Sequence, residues 1–215
     1  MAPRQSADAS PADRQPRARL TRERILAAAE SLLAEGGQDA LTMEEVAERA
    51  HVSVGAIYKR FRGKSTLLPQ VLERAQRHQA QRLRDFLDAP QWRDAGLGAR
   101  IDGLLAVFAR TQVQQRRLIR ALVVGHWQAE DRHANDAGAA AMMTAIHAWL
   151  AERRDEIRHP QPGLALSLGL FAALQCLQTA ILMERLPPTL AVEDFTAEMA
   201  RQFRRYLGLP EPAPE

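Results

Sequence analysis

The chain has a single cysteine, Cys176, in 215 residues. An intrachain disulfide is therefore impossible, and a reducing compartment, the cytoplasm, is the expected setting. Cys176 lies in an apolar run, where a free thiol is expected to act as a small buried hydrophobe. Charge of one sign is scarce too: the formal net charge is +3, too slight to decide on nucleic acid without knowing where the charges sit. The first twenty residues contain no apolar h-region, so no secretory signal is expected.

Motifs of catalysis are missing as well. There is no Gly-rich dinucleotide loop, nucleophile elbow or HExxH, so neither an enzyme nor a cofactor is expected. Gly63-Lys64-Ser65-Thr66 ends like a phosphate-binding P-loop, but that motif needs a glycine where Tyr58 stands and a strand where the pattern is helical. His126, Asp131, His133 and Asp136 lack the i, i+4 histidine spacing of a metal site and have no thiolate near them, so no metal is expected.

What is present is helical periodicity. Hydrophobic residues make up 46%, enough for a sizeable core. Ile25, Leu26, Ala29, Leu32 and Leu33 form an amphipathic stripe that Gly36-Gly37 ends. The pattern recurs at Ile101, Leu104, Leu105 and Phe108, at Leu118, Ile119, Leu122 and Val123, and at Met142, Met143, Ile146, Trp149 and Leu150. A last helix is expected from near Thr189 to Gly208. Pro160, Pro162, Pro187 and Pro188 mark breaks. No period-2 segment is sustained, so the fold is predicted to be all-α.

Leu164–Met183 needs a membrane test, because it is uncharged and long enough to span a bilayer. It carries Ser167, Gln175, Gln178 and Thr179, whose polar groups would need partners in lipid. Ala165, Gly169, Ala172, Ala173, Cys176 and Ala180 give it small residues suited to close helix packing. The expectation is a buried helix of a soluble bundle, not a membrane span.

Leu41 to Leu68 carries the most information. Thr42 followed by Glu45 is a capping box, flanked by Leu41 and Val46 as a hydrophobic staple. A helix should run from Met43 to about Ala50. His51 then stands where the turn wants a positive φ, a region histidine enters more readily than most residues other than glycine. Ser53 caps a second short helix, with Val52 and Ile57 as its staple. Two capped helices, each too short to be stable alone and joined by a tight turn, form a helix-turn-helix.

On the second helix Ile57 and Phe61 share the inner face. Val54, Gly55, Ala56 and Tyr58 share the other, small enough until Tyr58 for the helix start to approach base edges. Lys59, Arg60, Arg62 and Lys64 follow at once, where a DNA backbone would flank the groove. The next helix starts near Lys64-Ser65, so its free N–H groups lie beside the Lys64 ammonium, a combination suited to phosphate.

These residues resemble the tetracycline-repressor (TetR) family over about residues 20–68. The resemblance rests on Thr42, the Val-Ala-Glu-Arg-Ala run, Val52-Ser53, Gly55, Ile57-Tyr58, Phe61, Lys64 and Leu67-Leu68. It implies phosphate contacts from Thr42, Ser53, Tyr58 and Lys64, with Val54, Gly55 and Ala56 facing bases. It also implies a homodimer on a palindromic double-stranded operator, released when a small molecule enters the C-terminal body. His51 departs from the family, which often has glycine there. Few side chains on the reading helix suit bidentate base contacts. Specificity is therefore expected from Tyr58, Lys59, methyl contacts of Val54 and Ala56, and DNA shape.

The expected organisation is a disordered basic arm at 1–20, a three-helix DNA-binding domain at 21–68, a helical ligand-binding and dimerisation domain at 69–209 and a disordered tail at 210–215. The arm is read equally well as a phosphate-touching element or as an inert solvated tail. The helix from Ser65 through Leu87 is continuous in pattern and able to carry a shift between the domains. The small-residue stripe and the resemblance point to Leu164–Glu184 and Thr189–Leu207 as the dimer bundle. Phe108, Trp127, Met143, His147, Phe171, Gln175 and Gln178 are pocket candidates, although ordinary core packing is the default reading of each. Arg116, Arg117 and Arg120 offer attraction for an anionic ligand, or a solvated helix face. Two functions follow: a ligand-responsive repressor, or a constitutive DNA-binding dimer without an effector.

Overall fold

The computed structural model describes residues 11–120 and 132–210, and among these all regular structure is helical. Eight longer helices follow in order: α1 (Pro11–Gly36), α2 (Met43–Arg49), α3 (Val54–Tyr58), α4 (Lys64–Leu87), α5 (Leu97–Gln114), α6 (Arg132–Ala151), α7 (Pro162–Leu182) and α8 (Val192–Leu207). Residues 116–120 are also helical. The chain divides into two compact units, Met1–Ala75 and Gln76–Glu215, so that α4 contributes to both.

The first unit closes around the stripe read on α1. Ile25, Leu26, Ala29, Leu32 and Leu33 are buried, as are Val46 and Ala47 of α2, Ile57 of α3, and Leu67 and Val71 of α4. Polar bonds join the helices outside this core. Arg74 of α4 pairs with Glu23 and, at 3.0 Å, with Glu30 of α1. α1 begins at Pro11, inside the segment expected to be a disordered arm. Proline is tolerated at a first helical position, and extending an anchored helix adds backbone hydrogen bonds without a new nucleation cost, except at Pro16, which has no N–H to donate. Residues 1–10 lie outside the described residues.

In the second unit α5, α7 and α8 pack on one another, and α6 packs against α5 and α7. The stripe read on α5, Ile101, Leu104 and Leu105, meets Leu170, Leu174 and Leu177 of α7 and Phe203 and Leu207 of α8 in one buried cluster. Gly169 admits Phe203: a Cβ there would stand 2.2 Å from the Phe203 ring. Buried Arg100 fixes α5 by donating to the carbonyls of Trp149 and Trp92 at 2.7 and 2.9 Å and to the Glu152 carboxylate at 2.8 Å. α8 starts at Val192 rather than near Thr189, because a turn closed by the Leu190 N–H on the Pro187 carbonyl takes up the intervening residues. It ends, as the sequence indicates, at Gly208 in the left-handed conformation.

α7 differs from its expectation. By length and composition it is apolar enough to cross a membrane, yet one side, including Leu166, Leu170, Leu174 and Leu177, is buried against the unit's core. The other side is open: Leu164, Leu168 and Phe171 are each more than half exposed, as is Met183 just past the helix end. Cys176 is exposed as well, not buried. A 3.6-residue period explains this, since 164, 168, 171 and 175 share a stripe that 166, 170 and 174 oppose.

Candidate nucleic-acid interface

Short helices need their ends satisfied, and both helices of the motif have that. The Thr42 hydroxyl oxygen accepts the Glu45 N–H at 3.1 Å and donates to the Glu45 carboxylate at 2.8 Å. The expected reciprocal bond from the Thr42 N–H to Glu45 is not made. That N–H already donates to the Ala40 carbonyl at 3.2 Å, so the box closes side chain to side chain. Ser53 accepts the Ala56 N–H at 3.2 Å and starts α3. Leu41 and Val46 are buried beside the first cap, and Ile57 beyond the second.

The turn between them has the expected left-handed residue, His51, with φ 53°. The carbonyls of Glu48 and Ala47 accept the N–H groups of His51 and Val52 at 3.0 Å each. Sequence reading missed what holds this turn from outside. Arg24 of α1 reaches the Ala50 carbonyl at 2.6 Å and the His51 carbonyl at 2.9 Å. Arg49 of α2 grips Glu35 of α1 through two bonds, 2.5 and 2.9 Å, and also donates to Ser31 at 3.0 Å. Its guanidinium, with Ser31 assisting, lowers the Glu35 carboxyl to a pKa of about 2. Neither contact has a local signal, since the partners are far apart in sequence and an arginine on a polar face looks solvated.

The outward side of α3 is made of the residues read for it. Gly55 and Tyr58 are exposed, and Val54 and Ala56 are half-buried, while Ile57 and Phe61 turn inward at 0% and 1% exposure. A Cβ added at Gly55 would meet nothing within 4 Å. Internal packing therefore gives no reason for glycine there, and close approach from outside does. Thr42 is half-buried, its hydroxyl engaged in the cap, and Ser53 is exposed.

The cations separate into two kinds. Arg60 is spent internally, donating to the Ala56 carbonyl at 3.0 Å. Lys59, Arg62 and Lys64 are exposed and have no partner among the described residues. Lys64 opens α4, in whose first turn the Gly63 carbonyl takes the Thr66 and Leu67 N–H groups at 3.1 Å each. An unpaired ammonium at a helix start suits an anion.

The pocket candidates of the second unit differ in their surroundings. Phe108 and Met143 pack against the core. His147 shares a hydrogen bond of 3.0 Å with Ser167. Phe171 and Gln175 are exposed on α7 and Gln178 is half-buried. Trp127 lies outside the described residues, as do the side chains of His126, Asp131, His133 and Asp136. Arg116 pairs with Glu184 at 2.5 Å and Arg120 donates to the Leu182 carbonyl at 2.6 Å, so both are engaged in holding the end of α7.

Residues 25–71 match the family described as bacterial regulatory proteins, tetR family. No curated protein matches the chain. Among solved structures, a tetR-family transcriptional regulator from Streptomyces coelicolor is 19% identical, with a TM-score of 0.65, over 86% of this chain and 79% of that one. SmeT, the repressor of the Stenotrophomonas maltophilia multidrug efflux pump SmeDEF, is 23% identical, with a TM-score of 0.55, over 90% and 97%. A protein of unknown function from Rhodococcus sp. RHA1 is 22% identical, with a TM-score of 0.67, over 95% and 99%. Residues 25–71 thus carry a DNA-binding domain of the tetR family of bacterial regulatory proteins, and the described residues have the all-helical fold of solved TetR-family transcriptional regulators.

Proposed function

We propose that the protein is a ligand-responsive transcriptional repressor, a homodimer that binds a palindromic operator and leaves it when a small molecule occupies the second unit. The observation that carries the DNA reading is the outward side of α3. Gly55 there has no internal packing role, Tyr58 projects beside it, and Lys59, Arg62 and Lys64 have no partner among the described residues. Thr42, Ser53, Tyr58 and Lys64 are assigned to phosphates, and Val54, Gly55 and Ala56 to base edges, with Lys59 at the groove margin.

The dimer reading draws on α7. Three large apolar side chains on one open stripe, Leu164, Leu168 and Phe171, form the kind of patch that marks an interaction surface, and a two-fold contact would lay each stripe on its own copy. The repressor reading draws on the likeness to SmeT, a repressor. Release requires that the ligand bind the DNA-free arrangement more tightly than the DNA-bound one. A site in the cytoplasm accords with a soluble DNA-binding role.

Selection from a random duplex library tests this. The expected product is an inverted repeat whose half-site centres lie about 34–36 Å apart or a multiple of that spacing. Enrichment of a single, asymmetric half-site, or of none, would overturn the dimeric operator reading. A thermal-shift screen run beside operator binding then tests the effector: a compound that stabilises the protein and weakens DNA binding is expected.

A further inference from the structure

The second unit has a cleft of about 650 Å³ between α5 and α8, within the range of roughly 300–1,000 Å³ typical of ligand pockets. From Asp102 to Val113 it follows α5 for about 16 Å at 1.5 Å per residue. Its walls are small: Ala106, Ala109 and Val113 on α5 face Val192, Ala197 and Ala200 on α8. Alanines on both facing sides leave a groove where larger side chains would interdigitate. Among the described residues, none of the pocket candidates expected from sequence lines it.

Most polar groups of this cleft are engaged; the exceptions are Gln114, Arg110 and one carboxylate oxygen of Asp102, which is buried without a hydrogen-bond partner. Asp102 and Arg204 form an ion pair across it. Arg201 pairs with Glu198 at 2.5 Å. The Thr196 hydroxyl donates to the Val192 carbonyl at 2.7 Å. Glu193 stands in the first turn of α8, where the positive end of the helix dipole takes up part of its charge. Arg110 is different: it is exposed, and no described residue compensates its charge.

We propose that this cleft binds an amphiphilic organic anion, an apolar body between the alanine walls with a carboxylate or sulfonate on the Arg110 guanidinium. The guanidinium offers a forked set of donors that fits such a group, and the Ala and Val walls remove the body from water. The proposal names the ligand class of the effector reading and rests on it only for any effect on DNA.

The test uses the full chain and 8-anilinonaphthalene-1-sulfonate, whose fluorescence rises on apolar burial. Saturable binding is expected, displaced by laurate but not by dodecyltrimethylammonium, which has the same chain length and the opposite charge. Arg110→Gln should weaken laurate about tenfold or more, as loss of a charge-assisted bond does. Ala197→Trp, a change at an exposed position that fills the cleft, should abolish laurate binding. Laurate affinity unchanged in Ala197→Trp would overturn the site. Equal displacement by both amphiphiles, or unchanged affinity in Arg110→Gln, would overturn the anion class. Laurate that binds by these criteria yet leaves operator affinity unaltered would uphold the cleft and sink the ligand-responsive reading of the protein.

Discussion

The outward sides of α3 and α7 are opposite in kind. α3 shows a glycine, small half-buried side chains and a tyrosine, with unpaired cations beyond its end. α7 shows Leu164, Leu168 and Phe171 on a helix with no charged residue. Each surface is costly or unexplained for an isolated chain. Glycine in a helix lowers stability relative to alanine by roughly 0.5–1 kcal/mol, and a row of large apolar groups in water forgoes burial. The difference teaches what each expects: a charged, shape-limited partner for α3, and a second apolar surface for α7.

The contrast is broken most severely by placing charge on the apolar side. Phe171→Asp removes the same ring twice in a symmetric contact. At roughly 2 kcal/mol per buried aromatic side chain, the dimer should weaken by about a thousandfold. Sedimentation equilibrium should then show monomer at micromolar protein, and operator affinity should fall with it while the melting transition stays cooperative. A variant that remains dimeric would assign the α7 stripe to some other use.

On α3 the sharper change is Gly55→Leu. With nothing within 4 Å of a Cβ there, the fold should hold its melting temperature or gain slightly, since leucine is the better helix former. DNA affinity should nonetheless drop by about tenfold or more, the scale of one lost close contact at a base edge. Loss of stability together with affinity would return Gly55 to an internal role. Opposite signs of the two effects are what the comparison demands.

These two surfaces were not equally legible. The α2–α3 unit is written locally: Thr42, Glu45, Ser53 and the left-handed His51 lie within a few residues of the groups they bond, so spacing alone places them. α7 was legible as an apolar helix but not as a two-sided one. Its inner and outer stripes are both hydrophobic, and only packing on α5 and α8 tells Leu170 from Phe171. Arg24 and the Arg49–Glu35 pair were missed for the same reason, because their partners lie one or more helices away. The cleft was missed because alanine at helical spacing does not distinguish a tight contact from a groove.

Lys64→Ala should act more gently than either substitution above. Removing one phosphate contact should weaken binding to all sequences alike and reduce the slope of log affinity against log salt by about 0.9. Anisotropy titrations on specific and unrelated duplexes at several salt concentrations read both quantities. A loss confined to the specific duplex would move Lys64 from the backbone to a base. An unchanged slope would remove it from the interface altogether.

The smallest effect lies behind α3, in the Glu35–Arg49 pair that ties α1 to α2. The folded-state pKa of Glu35, about 2, is depressed from its ordinary value of 4.5, so the pair contributes above about 4.5 and loses its contribution as the pH falls toward 2. In Arg49→Gln that component is gone. The melting-temperature difference between wild type and variant should be present near neutrality, shrink through this window and vanish at its acid end. Because both groups face solvent, the difference should be small and should narrow in molar salt. A difference that ignores pH would mean that Arg49 supports the reading unit through its bond to Ser31 and its packing, not through the charge on Glu35.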